Sequence, residues 1–290
     1  MLFRCKFCGK NSAIKRGVKK NKSGWIPRYS CNNCGKWFVD RKGFESFRHT
    51  PEVITAALDL RAKGTSLADI VDHLDQHHRV KVSRKTILDW QKKFGEKLKS
   101  FTQTLKPIIG GQVHADEMFV KVGKKWNYYW DAIDYTTKFL VGDHFSKERN
   151  VTECITFLES IKRCPVNQPV QIHTDCSYDY PWPIKKVFGK KGIIHVFFPA
   201  WKHKFQNNPI ERLHNTKKQT TKTFRNFDNT KTASQFFDFK KIHYNFIRKH
   251  TTLKEQTPAQ AAGIFLKLKR NRIQSLIEKY HTPKTHPHCT

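Results

Sequence analysis

The pattern Cys-x-x-Cys-Gly-Lys occurs twice near the amino terminus, as Cys5-Lys6-Phe7-Cys8-Gly9-Lys10 and Cys31-Asn32-Asn33-Cys34-Gly35-Lys36. Two thiolates spaced by two residues bind one ion from a tight turn, and a glycine after the second thiolate supplies the left-handed backbone such a turn needs. Two of these turns make a tetrahedral four-thiolate site, for which zinc is better suited than magnesium or calcium. The 22 residues between Cys8 and Cys31 suffice for a hairpin, so residues 1–45 are expected to form a zinc ribbon on Cys5, Cys8, Cys31 and Cys34. The competing reading is buried free thiols or a redox pair, and the repeated glycine weighs against it. A unit this small has little core, so the metal should supply much of its folding free energy. Lys10, Lys15, Arg16, Lys19, Lys20 and Lys22 would surround it and suit phosphate contact. Cys154, Cys164, Cys176 and Cys289 are scattered and read as ordinary small apolar residues.

The charge balance narrows the function. Among 290 residues there are 55 Lys and Arg against 24 Asp and Glu, a formal charge of +31. Such a surplus calls for a polyanion, and DNA or RNA is the usual one, against a bland basic surface as the alternative. A hydrophobic fraction of 38% supports one sizeable core with smaller modules attached. No run approaches the roughly 20 apolar residues that span a bilayer, and the start lacks the apolar stretch of a signal peptide. The expectation is a cytoplasmic, nucleoid-associated protein of a prokaryote with no membrane contact.

Residues 50–100 carry helical periodicity. Pro51 to Ala62 reads as a first helix ended by Gly64, Ser66 caps a second from Leu67 to about Leu74, and Ser83 caps a third from Arg84 to Phe94. In that third helix Ile87, Trp90 and Phe94 share one side, leaving Arg84, Lys85 and Gln91 as donors able to meet phosphates and base edges, as in a helix-turn-helix DNA-binding domain. A plain helical bundle with a basic face is the alternative. Phe101 to Gly111, with Pro107 and the pair Gly110-Gly111, reads as a linker.

From Val113 the pattern becomes α/β. Asp116 lies in the extended run Val113 to Val122, where a carboxylate is costly unless paired or metal-bound. Strands are expected at Trp126–Ile133 and Lys138–Phe145, then a helix at Asn150–Arg163. The apolar run Val170 to Thr174 ends at Asp175, and open α/β sheets gather their chemistry at such strand ends. A fifth strand, His195–Pro199, precedes a helix opened by Asn207-Asn208-Pro209-Ile210-Glu211, which sets Glu211 in its first turn with His214, Asn215 and Lys218 on the same face. Glu117, Asp131, Asp134 and Asp179 are read as surface or turn residues, and His173 as a structural hydrogen-bonder. Trp126, Trp130, Trp182 and Trp201 read as core or DNA-stacking residues, and a terminal helix from Ile264 to Tyr280 as packed on the core or on a second subunit.

Two aspartates, a glutamate separated from the second by 35 residues, and a lysine seven residues further on resemble the D-D-(35)-E motif of retroviral integrases and insertion-sequence transposases. The phrases Asp116-Glu117-Met118-Phe119-Val120-Lys121, Asn207-Asn208-Pro209-Ile210-Glu211-Arg212, Tyr244 to Leu253 and Thr257 to Gly263 resemble the single-protein transposases of insertion sequence family six, though many of those have a shorter front end. The resemblance implies an α/β, ribonuclease-H-like core over residues 110–265, a mixed five-stranded sheet with flanking helices in which the first and fourth strands are neighbours, followed by a helix and flexible tail over 266–290. Its chemistry would be magnesium- or manganese-dependent phosphoryl transfer. Asp116 would bridge two ions, Asp175 and Glu211 would complete one side each, and Lys218, with His214 as a second candidate, would hold a DNA phosphate. DNA ends and target DNA are then the partners, in a homodimer or higher multimer. The alternatives are a related nuclease without strand transfer and a zinc-ribbon, helix-turn-helix regulator with an inert core.

Overall fold

The computed structural model describes residues 2–21, 24–39, 41–45, 47–175, 179–189, 192–198, 208–224 and 226–281. Lys22, Cys176, Pro199, Trp201, Asn207 and Cys289 lie outside the described residues.

Three short antiparallel strands, β1 (Ala13–Asn21), β2 (Gly24–Cys31) and β3 (Trp37–Val39), form one sheet in that order. Its own core is small, built from Cys5, Ala13, Tyr29, Cys31 and Phe38. Three helices follow, α1 (Pro51–Lys63), α2 (Leu67–His78) and α3 (Arg84–Thr102). Thr50, Ser66 and Ser83 cap them by accepting from the amides of Val53, Asp69 and Thr86, and Gly64 closes α1 at φ +102°. The starts are those expected from the sequence, but α2 runs past Leu74 to His78 and α3 continues past Phe94 to Thr102.

That continuation has a physical reason. Phe94 and Leu98 are buried, and Gly95 comes close to Phe239, so α3 finishes by packing on the helix that carries Phe239. The apolar residues of α1–α3 therefore belong to the same buried cluster as one face of the main sheet. The expected linker is likewise built in: Ile109 is buried, its amide donates to Asn167 Oδ1 at 2.9 Å, and the Gly110 amide donates to Asp134 Oδ1 at 3.0 Å.

The main sheet has the order β6-β5-β4-β7-β8. β4 (Gln112–Val122), β5 (Lys125–Asp134) and β6 (Leu140–Ser146) make an antiparallel meander; β7 (Gln171–Asp175) joins β4 in parallel, and β8 (Ile194–Phe198) joins β7 in parallel. The first and fourth strands of this sheet are neighbours, as expected. Helix α4 (Val151–Arg163) crosses from β6 to β7, capped by Asn150, and α5 (Pro181–Phe188) lies between β7 and β8 in sequence. Alternation along β4 and β5 divides the sheet's two sides. Ala115, Trp130 and Ala132 share a core with Phe157 of α4, whereas Met118, Val120 and Tyr129 pack against Phe236 and Phe237 of α7 (Thr230–Ile242). Helix α6 (Asn208–Lys222) joins α7 on that second side through Ile210 and Leu213.

After α7 come a π-helical turn over His243–Ile247, a short 3-10 turn at Thr251–Leu253, α8 (Pro258–Ala261) and α9 (Arg272–His281). The terminal helix thus starts eight residues later than expected. Lys267 has φ +47°, which an α-helix does not accept, and Asn271 caps the true start by accepting from the Gln274 amide at 3.1 Å. Ile273, Leu276 and Ile277 then bury into the main core.

Gly142 sets how closely α4 lies on β6: a Cβ there would come within 2.5 Å of Ile161 Cγ1 and 2.9 Å of Ser160 Oγ. Gly142→Val should push α4 away and destabilise the fold by about 1–3 kcal/mol, read as a melting temperature lower by roughly 3–10 °C. An unchanged melting temperature would show that this contact does not limit the packing.

Candidate active site

Each Cys-x-x-Cys turn closes in the same way. The Gly9 amide donates to the Cys5 carbonyl and the Gly35 amide to the Cys31 carbonyl, both at 2.9 Å, and the two glycines have φ of +72° and +68°. The four sulfurs face one another, with Sγ of Cys5 and Cys34 3.7 Å apart and Sγ of Cys8 and Cys31 3.6 Å apart, all four within 4.8 Å. The Ser12 hydroxyl lies 3.1 Å from the Cys31 sulfur and, as the largest influence, helps bring that thiol down to about 6. Four convergent sulfurs of this kind can hold one tetrahedral ion.

The carboxylates are organised by strand register. β4 and β7 pair in parallel with Gln112 beside Gln171 and His114 beside His173. The rings of His114 and His173 stack at 4.6 Å, so these residues share a face. Two residues further along each strand, on that same face, stand Asp116 and Asp175. Helix α6 lies on this side of the sheet and carries Glu211, exposed, in its first turn. Burial is the main reason the Asp116 carboxyl is pushed up to about 8; the charge of Glu117 adds to it, as do those of Asp175 and Glu211. The three acids therefore act on one another. Among the described residues only the four sulfurs form a group of three or more ligand atoms mutually within 4.8 Å, so the three carboxylates do not all lie that close to one another.

Asp116 has two defined contacts. Its Oδ1 accepts from the Glu117 amide at 2.9 Å, and its Oδ2 lies 3.5 Å from His214 Nδ1. The other ring nitrogen, His214 Nε2, is 3.3 Å from Asp131 Oδ2, without the alignment of a hydrogen bond. Lys217, one turn on, brings its Nζ to 2.5 Å from Asp131 Oδ1. His214 is only 4% exposed, so it is buried between two aspartates and does not face out toward a DNA phosphate. Burial keeps its pKa below the usual histidine value, with Asp131 opposing.

Several acids expected on the surface are not there. Asp131 is fully buried and holds Lys217. Asp134 does occupy a turn, but a buried one, where its Oδ2 accepts from the Thr137 amide and hydroxyl at 2.7 Å each. Glu117 points to the opposite side of β4, accepting from Tyr180 Oη at 2.7 Å and pairing with Arg149 Nε at 2.6 Å. Asp179 is 3.5 Å from the same arginine. Gln91 is also corrected: it is 3% exposed and accepts from Arg61 Nε at 3.3 Å, so it is turned inward, while Arg84 and Lys85 are exposed at the start of α3. Lys218 is exposed beside Glu211's face of α6. His173 is buried, stacked on His114 and 3.1 Å from Gln171 Oε1, a structural placement. Trp130 is core, donating to Ser146 Oγ at 2.9 Å, whereas Trp126 and Trp182 are exposed. Cys154 is buried in the main core.

Asp131 was open to discovery from sequence. The hairpin turns at Gly123-Lys124, which pairs Val122 with Lys125 and, counting back, Asp116 with Asp131. Two carboxylates facing each other on one side of a hairpin require a cation between or beside them, and Lys217 lies three residues after His214 on the helix that covers them.

A family model described as a DDE domain matches residues 110–251. An uncharacterized protein of Methanocaldococcus jannaschii is 31% identical over 174 residues, covering 57% of this chain and 78% of that protein. The magnesium-bound catalytic core of HTLV-2 integrase is similar over 54% of this chain and 99% of its own length, at 14% identity and a TM-score of 0.41. The catalytic core of BIV integrase is similar over 52% and 93% respectively, at 13% identity and a TM-score of 0.41. No described helix is long and apolar enough to cross a membrane. With a mixed sheet ordered β6-β5-β4-β7-β8 and this family match, the chain belongs to the DDE-type transposases of insertion sequences and has their ribonuclease-H-like fold.

Proposed function

We propose that this chain cuts and joins DNA strands at the ends of a mobile element, with Asp116, Asp175 and Glu211 as the ligands of catalytic magnesium or manganese. The observation that carries the reading is the shared face and electrostatic coupling of three acids from β4, β7 and α6, with the half-buried Asp116 feeling the charges of the other two. The donor set fits: hard oxygen ligands suit these cations, and a buried carboxyl resisting ionisation gains most from a cation beside it. When bound, the divalent ions stabilise the attacking and leaving oxygens of an in-line displacement at phosphorus.

The protein's own groups do the rest. Asp116 is positioned by the Glu117 amide and by His214, which Asp131 backs. Glu117 is held on the other side of the sheet by Arg149 and Tyr180, so it does not compete for the site. Lys218, exposed two turns along α6 from Glu211, would meet a phosphate of the bound strand. In the first step a water oxygen bonds to phosphorus and the bond to the 3′-oxygen breaks, leaving a 3′-hydroxyl and a 5′-phosphate. In the second, that 3′-hydroxyl bonds to a target phosphorus and displaces the target's own 3′-oxygen. Two ends must be processed together, so the working form is a homodimer or larger multimer. Arg84 and Lys85 at the start of α3 would touch DNA, and the four thiolates of Cys5, Cys8, Cys31 and Cys34 would hold zinc, making residues 1–45 a ribbon and residues 50–100 a DNA-reading module.

Asp116→Asn should lower magnesium-dependent cleavage and joining of a labelled element-end duplex by several kcal/mol of transition-state stabilisation, roughly a thousandfold or more. Joining at the wild-type rate would remove Asp116 from the chemistry. The raised carboxyl also gives a pH signature. Its folded pKa, about 8, lies above its ordinary value of 3.8, so its contribution to stability is full at low pH and is lost as pH rises through about 8. In magnesium-free buffer the melting temperature of Asp116→Asn relative to wild type should climb between about pH 4 and pH 8; a difference constant with pH would contradict the buried, proton-holding state. Cys5→Ser with Cys34→Ser should take bound zinc from about one ion per chain to none and remove the thermal transition of the β1–β3 unit. Wild-type zinc content would refute the four-thiolate site.

A further inference from the structure

Lys240 on α7 is the most exceptional cation in the molecule. It is 6% exposed, and its Nζ donates to the Ala62 carbonyl at 2.6 Å and to Thr220 Oγ1 at 2.9 Å, both neutral acceptors. No carboxylate among the described residues bonds to it. The charges acting on it are those of Arg248 and Lys217, both of like sign, and together with burial they bring its pKa down to about 8. A buried ammonium without a counter-ion is costly, and an anion reaching Nζ would offset that cost.

The surroundings allow one to. Lys240 lines a cavity of about 460 Å³ between α1, α6, the π-helical turn and α9, with Lys63, Arg248, Lys249 and Arg272 in its wall and Asp59 its one carboxylate. Asp59 is already engaged, 2.5 Å from Lys63 Nζ and 3.0 Å from His243 Nε2. The cavity shares Thr216, Tyr244, Arg248 and Lys249 with a wider groove of about 1170 Å³ along α6, where Lys138 and Arg212 add positive charge and no described lining residue is acidic. On α6 the groove-lining residues Arg212, Thr216 and Thr220 lie on the flank opposite Glu211 and Lys218, with Asn215 on the ridge between.

We propose that this cavity and groove form a second DNA-backbone site, distinct from the exposed start of α3, in which one phosphate meets Lys240 and its neighbours meet Arg248 and Lys249. The inference rests on the DNA-acting reading above, and it adds that the duplex passes over α6 from the carboxylate site into this groove. Basic side chains, threonine hydroxyls and a described lining whose one acid, Asp59, is already paired with Lys63 and His243 are what a phosphate chain needs and what an apolar or basic partner would reject.

The test is binding of a short labelled duplex lacking element sequence, by fluorescence anisotropy over a salt series in magnesium-free buffer, every protein carrying Asp116→Asn. Arg248→Gln with Lys249→Gln should weaken binding about tenfold and make the salt dependence shallower by about two, at close to one per phosphate lost. Lys240→Met should make it shallower by about one. Lys121→Gln with Lys124→Gln, which removes equal charge from the β4–β5 hairpin, should leave the salt dependence as it was. Salt slopes for the groove variants equal to the parent, or a hairpin variant with the same loss as the groove variant, would overturn the proposal. So would a change in oligomeric state with DNA binding intact, which would assign the groove to a second copy of the chain. Should Lys240→Met not fold, the two exposed substitutions carry the test. The assay contains no cleavage step, so failure of the catalytic reading would show as an inactive wild type that still binds through the groove.

Discussion

A row of aspartates crosses the central sheet at a single register, and the second side of the domain is arranged around it. Asp116 of β4 faces Asp131 of β5, which faces Asp143 of β6, so three carboxylates share one face of three adjacent strands. Carboxylates aligned this way, away from water, repel one another, and leaving one uncompensated costs roughly 3–5 kcal/mol. The covering helices answer with basic side chains at matched positions: the His214 ring between Asp116 and Asp131, the Lys217 ammonium on Asp131, and that of Lys241 2.6 Å from Asp143. Asp116, at the end of the row, has only a histidine nearby, kept from charging by burial. Among the described residues it is the one member of the row left without a full positive partner, and it is the one beside Asp175.

This arrangement explains which parts could be read from the chain. Alternation and caps announced the elements, because each is a local preference that the tertiary structure happens to satisfy: Thr50, Ser66, Ser83 and Asn150 all cap where their side chains suggest. Asp116, Asp175 and Glu211 were legible because the spacing of a known motif carries them, and the adjacency of β4 and β7 followed. Burial of polar groups is hard to read from the chain, since it depends on what lies opposite, and only the facing of Asp116 and Asp131 left a trace, in the hairpin register. Asp131, Asp134 and Glu117 look like surface acids in sequence, and become interior only once Lys217, the Gly110 amide and Arg149 arrive from far along the chain, Lys217 from 86 residues away and the Gly110 amide from 24. Gln91 failed for the same reason: a helix wheel shows a polar face, but Arg61 on a neighbouring helix claims that side chain.

The boundary between modules was also misjudged by pattern alone. A proline and two glycines suggested a free connector, yet Gly110 is in close contact with Thr136, where a Cβ would sit 2.3 Å from Oγ1, and the Ile108 amide donates to the Ala262 carbonyl at 2.9 Å. Glycine here allows close approach and not flexibility. The three helices are attached just as firmly, through Lys99 to Asp238 at 2.8 Å and through the Arg61 guanidinium 3.4 Å above the Phe224 ring.

Fusing α1–α3 to α7 has a mechanical consequence. Helix α7 carries Phe237, stacked at 4.1 Å on Tyr129 of the central sheet, and Lys241, which neutralises Asp143. The exposed start of α3 is therefore linked to the aspartate row through one packed helix and no hinge. Domains joined by flexible linkers search for their ligands independently, whereas surfaces on one core must meet a ligand in fixed relative position. A stiff polyanion such as duplex DNA can satisfy that condition only if its path matches the spacing built into the protein. The shared core of α1–α3, α7 and the sheet thus turns the distance between the exposed basic start of α3 and the carboxylates into a structural constant, which, on the proposed function, would fix where along a bound strand the chemistry falls.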